Sequence, residues 1–194
     1  MKIALDAMGG DNAPLETIKG AVAALEEVSE LELVLVGKKE VIEAELSKYK
    51  YNKEKIEIVD AREIIEMTDE PVVAVKSKKD SSMNRTLELV KDGTVSASVS
   101  AGNTGALITA SQLKLKRIKG VLRPAIATMF PNKKGHMLML DVGATADCKP
   151  EFLNQYAMMG SKYMEILLGR KNSKVGLLNI GTEEGKGNEV TREA

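Results

Sequence analysis

Runs of consecutive apolar residues alternate along this chain with stretches in which apolar residues recur every three or four positions. KIALD (2–6), LELVLVG (31–37) and IEIVDA (56–61) are of the first kind and predict strands. The segment 14–28 is of the second kind. It opens with Pro14 and places Ile18, Val22 and Leu25 on one helical face. Residues 38–49 predict an amphipathic helix with alternating charge on its outer face. A polar stretch, 67–83, predicts irregular structure, followed by a helix to about Lys91. After the Asp92-Gly93 turn, Val95, Ala97 and Val99 alternate with Ser96, Ser98 and Ser100, which predicts a strand over 94–100. A helix then runs to about Leu115. Strands are predicted at 124–130 and 136–143, joined by the turn Pro131–Gly135. A long helix over 150–169 precedes a strand at 174–181, and VTREA at the end reads as the start of another helix.

Strands that alternate with helices, several of them apolar throughout, predict an α/β fold: a mostly parallel sheet with helices on both faces. No repeat or low-complexity linker divides the chain, so the pattern predicts a single α/β domain over residues 1–194. The unfinished final helix suggests the N-terminal portion of a longer chain.

Composition narrows the chemistry. Lys plus Arg and Asp plus Glu both number 28, so net charge gives no argument for nucleic acid. One cysteine allows no intrachain disulfide, and with a single histidine a zinc site would have to lean on carboxylates; none is expected. The opening MKIALDAMGG lacks the apolar run of a signal peptide. No stretch approaches the ~20 apolar residues of a spanning helix. A cytoplasmic location is the expectation.

Parallel sheets bind ligands outside the carboxyl ends of their strands. Four loops fall there: 6–12 (DAMGGDN), 101–105 (AGNTG), 143–147 (GATAD) and 181–188 (GTEEGKGN). All carry Gly with Asn, Thr or Asp. Backbone N–H groups at such a turn suit a phosphate or a developing oxyanion. Gly102 and Gly105 equally suit a tight turn capped by Asn103 or Thr104. Neither GxGxxG nor GxxxxGK[ST] is present, so no motif supports a dinucleotide or ATP. Lys76, Lys78 and Lys79 read either as solvated charge or as a flap bringing cations to an anionic substrate. Arg123 and Lys149 are further cationic candidates. Cys148 has no histidine placed near it in sequence as a base, and His136 sits at a predicted strand end.

The blocks DAMGGDNAP, EPVVAVKSKKDSSM, SAGNTGA, RPAIA, DVGATADCKPEFLNQYAMMG and VGLLNIGTEEGKGN, in this order, resemble the phosphate acyltransferases of bacterial phospholipid synthesis (PlsX), the acyl-carrier-protein:phosphate transacylases. The resemblance covers the whole chain. It departs at Thr145, where the family has Asn, and at Lys76, where it has Arg. Members of the family are longer, which implies that a C-terminal part is absent here.

The resemblance implies a fold related to phosphotransacetylases and to isocitrate and isopropylmalate dehydrogenases. It implies transfer of a long-chain acyl group from an acyl carrier protein thioester to inorganic phosphate. The product, acyl phosphate, feeds a membrane acyltransferase. No organic cofactor and no obligatory metal is implied; phosphate is a substrate. A homodimer with peripheral membrane association is implied. On this chemistry Asn103 and the amides of Gly102, Thr104 and Gly105 are candidates for the oxyanion. Asn179, Gly181, Lys186 and Asn188 are candidates near the phosphate. Asp11 and Asp141, and less so Asp6, are candidates to orient phosphate or take its proton. Lys76, Lys78 and Lys79 are candidates to steer the acidic carrier, with Lys114, Lys116, Arg117 and Lys119 as a second basic cluster. Other readings are a short-chain phosphotransacetylase using acyl-coenzyme A, a non-catalytic carrier-binding module and, with least support, a metal- and NAD-dependent dehydrogenase.

Overall fold

Strands β1 (Lys2–Asp6), β2 (Glu32–Gly37), β3 (Ile56–Asp60) and β4 (Ala97–Val99) pair in parallel in the order β3-β2-β1-β4. Their apolar runs serve both faces of the sheet. Leu33 and Leu35 pack on one side with Ile18, Ala21 and Val22 of α1 (Leu15–Glu27) and with Ile42 and Leu46 of α2 (Lys39–Leu46). Ala4, Val34 and Val36 point the other way and pack with Val95, joined by Leu89 and Val90 of α4 (Ser82–Lys91). Successive strand residues alternate faces, so an unbroken apolar run is what a sheet covered on both sides requires. Burying a side chain such as Leu35 or Ile42, both fully enclosed, contributes about 1.5–3 kcal/mol.

The computed structural model describes residues 1–145, 147–183 and 185–194. They form two compact units, Met1–Lys116 and Arg117–Ala194, where the sequence pattern suggested one domain. The parallel sheet and the helices before Lys116 belong to the first unit. In it, α3 (Pro71–Ser77) lies inside the stretch expected to be irregular. Glu70 caps it by accepting from the Val72 and Val73 N–H groups, and Pro71 starts it. Both are ordinary helix-start signals that the charge around them obscured. Ala74 and Val75 bury one face of α3 against Met83 and Leu87 of α4 and against Ala106 and Ala110 of α5 (Thr104–Lys114).

In the second unit, β5 (Thr128–Asn132) and β6 (Gly135–Met139) form an antiparallel hairpin and a sheet of their own. The two-residue connection Lys133-Lys134 decides this, because parallel strands need a long crossover. Helix α6 (Pro150–Leu168) follows, and α7 (Glu189–Glu193) realises the helix start expected at the end. The predicted strand over 174–181 does not form. Val175, Leu177, Leu178 and Ile180 are all exposed and pair with no strand among the described residues. A strand needs a neighbour for its hydrogen bonds, and apolar content alone cannot supply one. No helix among the described residues is long and apolar enough to cross a membrane.

Candidate functional site

In the first unit, the loops after β1 and β4 meet because their strands are neighbours. Asp6, at the end of β1, is buried and accepts from the Ser100 hydroxyl at 2.7 Å and from the Met8 N–H at 3.2 Å. Ser100 Oγ in turn accepts from the Gly102 N–H at 3.1 Å. This relay ties the two glycine loops together. A Cβ on Gly9 would stand 3.0 Å from the Gly102 nitrogen, and one on Gly105 would stand 2.8 Å from Pro71 Cγ. These glycines therefore allow loop to pack on loop and helix on helix. The Gly102 amide, expected to face an anion, is spent inside the relay.

Asn103 also has a different job from the oxyanion donor suggested by the sequence. Its Oδ1 accepts from the Ala106 N–H at 3.0 Å and caps α5. Its Nδ2 donates to the carbonyls of Glu66, Met67 and Asp69 at 3.4, 3.1 and 3.2 Å. With both ends of the amide engaged, Asn103 fastens the loop before α3 to the start of α5. The Thr104 and Gly105 N–H groups have no hydrogen-bond partner among the described residues and remain open at that helix start. Thr104 is exposed, as are Asp11, Lys76 and Lys79.

Lys78 departs from the steering role. Its ammonium is bound to the Ile64 carbonyl and the Asp69 carboxylate. That bond, with the Glu66 N–H behind it, holds Asp69 below the usual carboxylate range. Of the cationic cluster, only Lys76 and Lys79 have no carboxylate within ion-pair distance among the described residues.

In the second unit, Asp141 is a loop builder. One oxygen accepts from the Ile126 N–H and the other from the Thr145 N–H, both at 2.8 Å. Thr145 receives Arg123 Nε at 2.7 Å and lies 3.3 Å from the Tyr156 hydroxyl. Tyr156 is buried, and that burial raises its hydroxyl above the usual range. Asn188 caps α7 by accepting from the Thr191 N–H at 2.9 Å. Asn179 packs beside Gly187, whose added Cβ would stand 2.5 Å from Asn179 Nδ2. Lys186 is exposed and Gly181 half-buried. Sequence reasoning named neither Ser100 nor Tyr156 as a site residue. Ser100 alternates with Val99 at a strand end, which could have marked it as a partner for a neighbouring strand's Asp6.

A family profile described as "Fatty acid synthesis protein" matches residues 1–194. The chain belongs to this family. The family resemblance read from the six blocks therefore holds. Among its relatives, a protein named "Phosphate acyltransferase" from Fusobacterium nucleatum subsp. nucleatum is 66% identical over 194 residues, all of this chain and 58% of the relative. Proteins of the same name from Dictyoglomus turgidum and Clostridium tetani are 53% and 50% identical over the whole chain, covering 57% and 58% of their lengths. The chain thus spans a little under three-fifths of the curated relatives it matches. Two solved phosphotransacetylases share the fold. The one from Streptococcus pyogenes has a TM-score of 0.65 at 16% identity, over 88% of this chain and 55% of its own. The EutD phosphotransacetylase from Staphylococcus aureus has a TM-score of 0.65 at 19% identity, over 100% and 61%.

The lone thiol of this family member is poorly suited to nucleophilic work. Burial first, and then the nearby Asp141 charge, raise the Cys148 thiol above its ordinary range, against smaller opposite effects of the Lys149 backbone and Arg123. The thiolate is the reactive form. Alkylation by iodoacetamide at pH 8 is therefore expected to run several-fold slower in the folded protein than in denaturant, with the folded pH–rate curve displaced upward. Equal rates in the two states would overturn this account.

Proposed function

We propose that the full-length protein moves a long-chain acyl group from an acyl carrier protein thioester to inorganic phosphate. A phosphate oxygen attacks the thioester carbonyl carbon, a tetrahedral oxyanion forms, and the C–S bond breaks. The acyl phosphate leaves, and the carrier thiolate takes up a proton. The observation that carries this reading is the 66% identity, over all 194 residues, to a relative named phosphate acyltransferase.

The site chemistry agrees with that proposal. When phosphate is the nucleophile, the enzyme needs no activated Ser or Cys, and Cys148 is held as a thiol. It does need fixed donors for the oxyanion, and losing one typically costs about 10²–10³ in rate. The open Thr104 and Gly105 N–H groups are the donors we assign in the first unit. Within the first unit we also assign Asp11 as a group orienting phosphate, and Lys76 and Lys79 as the cations that meet an acidic carrier. A homodimer at the membrane surface, handing acyl phosphate to a membrane acyltransferase without organic cofactor or obligatory metal, completes the proposal.

The test is release of free thiol from a long-chain acyl carrier protein, with hydroxylamine trapping acyl phosphate. The full-length protein and the 194-residue chain are compared side by side. Release that requires phosphate and yields the trapped acyl product is expected of the full-length protein. Turnover of acetyl-coenzyme A in place of the carrier substrate would favour the short-chain enzyme. Carrier binding without phosphate-dependent turnover would leave only a binding module.

A further inference from the structure

We infer that Arg123, held by Thr145 and Ala144, is an anion-binding site of the second unit, built for a phosphate-sized oxyanion; that phosphate is its ligand during turnover rests on the acyl-transfer reading above.

The backbone around Arg123 is pinned on both sides. The Leu122 N–H donates to Gln155 Oε1 at 2.8 Å, and Gln155 Nε2 donates to the Gly120 carbonyl at 2.9 Å. Three residues on, the Ile126 N–H donates to Asp141 at 2.8 Å. The side chain is pinned as well: Nε donates to Thr145 Oγ1 at 2.7 Å and Nη2 to the Ala144 carbonyl at 3.2 Å. Thr145 is itself fixed through its N–H to Asp141 and through the buried Tyr156.

Both acceptors of Arg123 are neutral. No carboxylate lies within ion-pair distance of its guanidinium among the described residues, whereas Arg62 and Arg85 each meet two. A guanidinium has five N–H donors. Two are used, so three remain on an exposed, oriented cation that has no ion-pair partner among the described residues. Immobilising so long a side chain costs rotamer freedom. Two bonds to neutral acceptors on an exposed residue offset little more than that. The arrangement has its advantage when an anion arrives, because a fixed planar fork loses little further freedom on binding a phosphate or carboxylate. Arg123 contacts the ligand directly in this assignment, and Thr145 is the positioning residue that aims it.

The experiment measures inorganic phosphate binding to the full-length protein by calorimetry, alongside the phosphate KM and kcat of thiol release. Arg123→Gln is expected to weaken phosphate binding at least tenfold. Arg123→Lys keeps the charge without the fork and should fall between the two. Thr145→Val removes the hydroxyl at constant shape and should weaken binding several-fold, mainly through KM. Circular dichroism of each variant checks that it is folded. If Arg123 only straps the 141–145 turn, Arg123→Gln will bind phosphate as the wild type does while melting earlier, and the inference falls with the acyl-transfer reading intact. Phosphate binding that depends on Arg123 without phosphate-dependent thiol release would instead sustain the site and sink the acyl-transfer reading. Absence of phosphate binding by the wild type would overturn the site.

Discussion

Asn103→Ala is expected to destabilise the first unit by about 2–3 kcal/mol, read as a lowered urea midpoint. Losing a helix cap costs about 1 kcal/mol. Losing the bonds from Nδ2 to three carbonyls adds about another 1–2 kcal/mol, since each net hydrogen bond is worth roughly 0.5–1.5 kcal/mol and two hydrogens are shared among three acceptors. Turnover should fall together with stability, because the loop over residues 66–69 is released from α5. Asn103→Ser separates the two contributions. Serine keeps the cap and lacks the strap, so about half the loss should return. If Asn103 were instead an oxyanion donor free to face substrate, Asn103→Ala would abolish turnover at an unchanged midpoint, and that result would overturn the account.

Gly9→Ala should be comparably damaging. The added methyl would stand 2.5 Å from Asp6 Oδ2 and 3.0 Å from the Gly102 nitrogen. The carboxylate could swing away only by releasing the Ser100 hydroxyl, and the Gly102 backbone has nowhere simple to move. Overpacking of this kind costs about 1–3 kcal/mol, and an unpaired buried Asp6 adds about 1 kcal/mol or more. We expect a loss of about 2–4 kcal/mol. Gly20→Ala is the control: it lies in α1 with nothing within 4 Å of the added methyl. It should raise stability by about 0.5–1 kcal/mol. A Gly9→Ala protein as stable as wild type would mean that the two loops are not locked together as described.

These two residues show why the candidate site was only partly legible. Asn103 stood out in the sequence because a small polar residue between glycines suits both a cap and an oxyanion donor. Which one it serves depends on whether its second end finds a partner, and the partners lie 34 to 37 residues away. Gly9 and Gly102 likewise signal close approach without saying of what. The approach is by each other, a consequence of β1 and β4 being neighbours. Arg123 and Thr145 are 22 residues apart and lie in separate sequence blocks, so their pairing is invisible until the turn after β6 is built.

Secondary structure divides along the same line. The strands at 2–6, 32–37 and 56–60 and the helices between them were readable because their pattern is local: period two or unbroken for strands, three to four for helices. The apolar segment 174–181 has the same strand-like pattern and forms no strand, since pairing requires an edge that local sequence cannot provide. The turn between the strands predicted at 124–130 and 136–143 was equally local, and its short connection makes β5 and β6 an antiparallel hairpin.

By itself, then, the sequence determined the α/β class, the positions of the loops that gather small polar residues, and membership in the family. All three follow from local periodicity or from ordered blocks of residue identity. Only the tertiary structure decided which polar groups are spent and which stay open. Hydrogen bonds are saturable, and the groups that saturate Asn103, Lys78 and Asp141 come from chain segments that meet only when the fold forms.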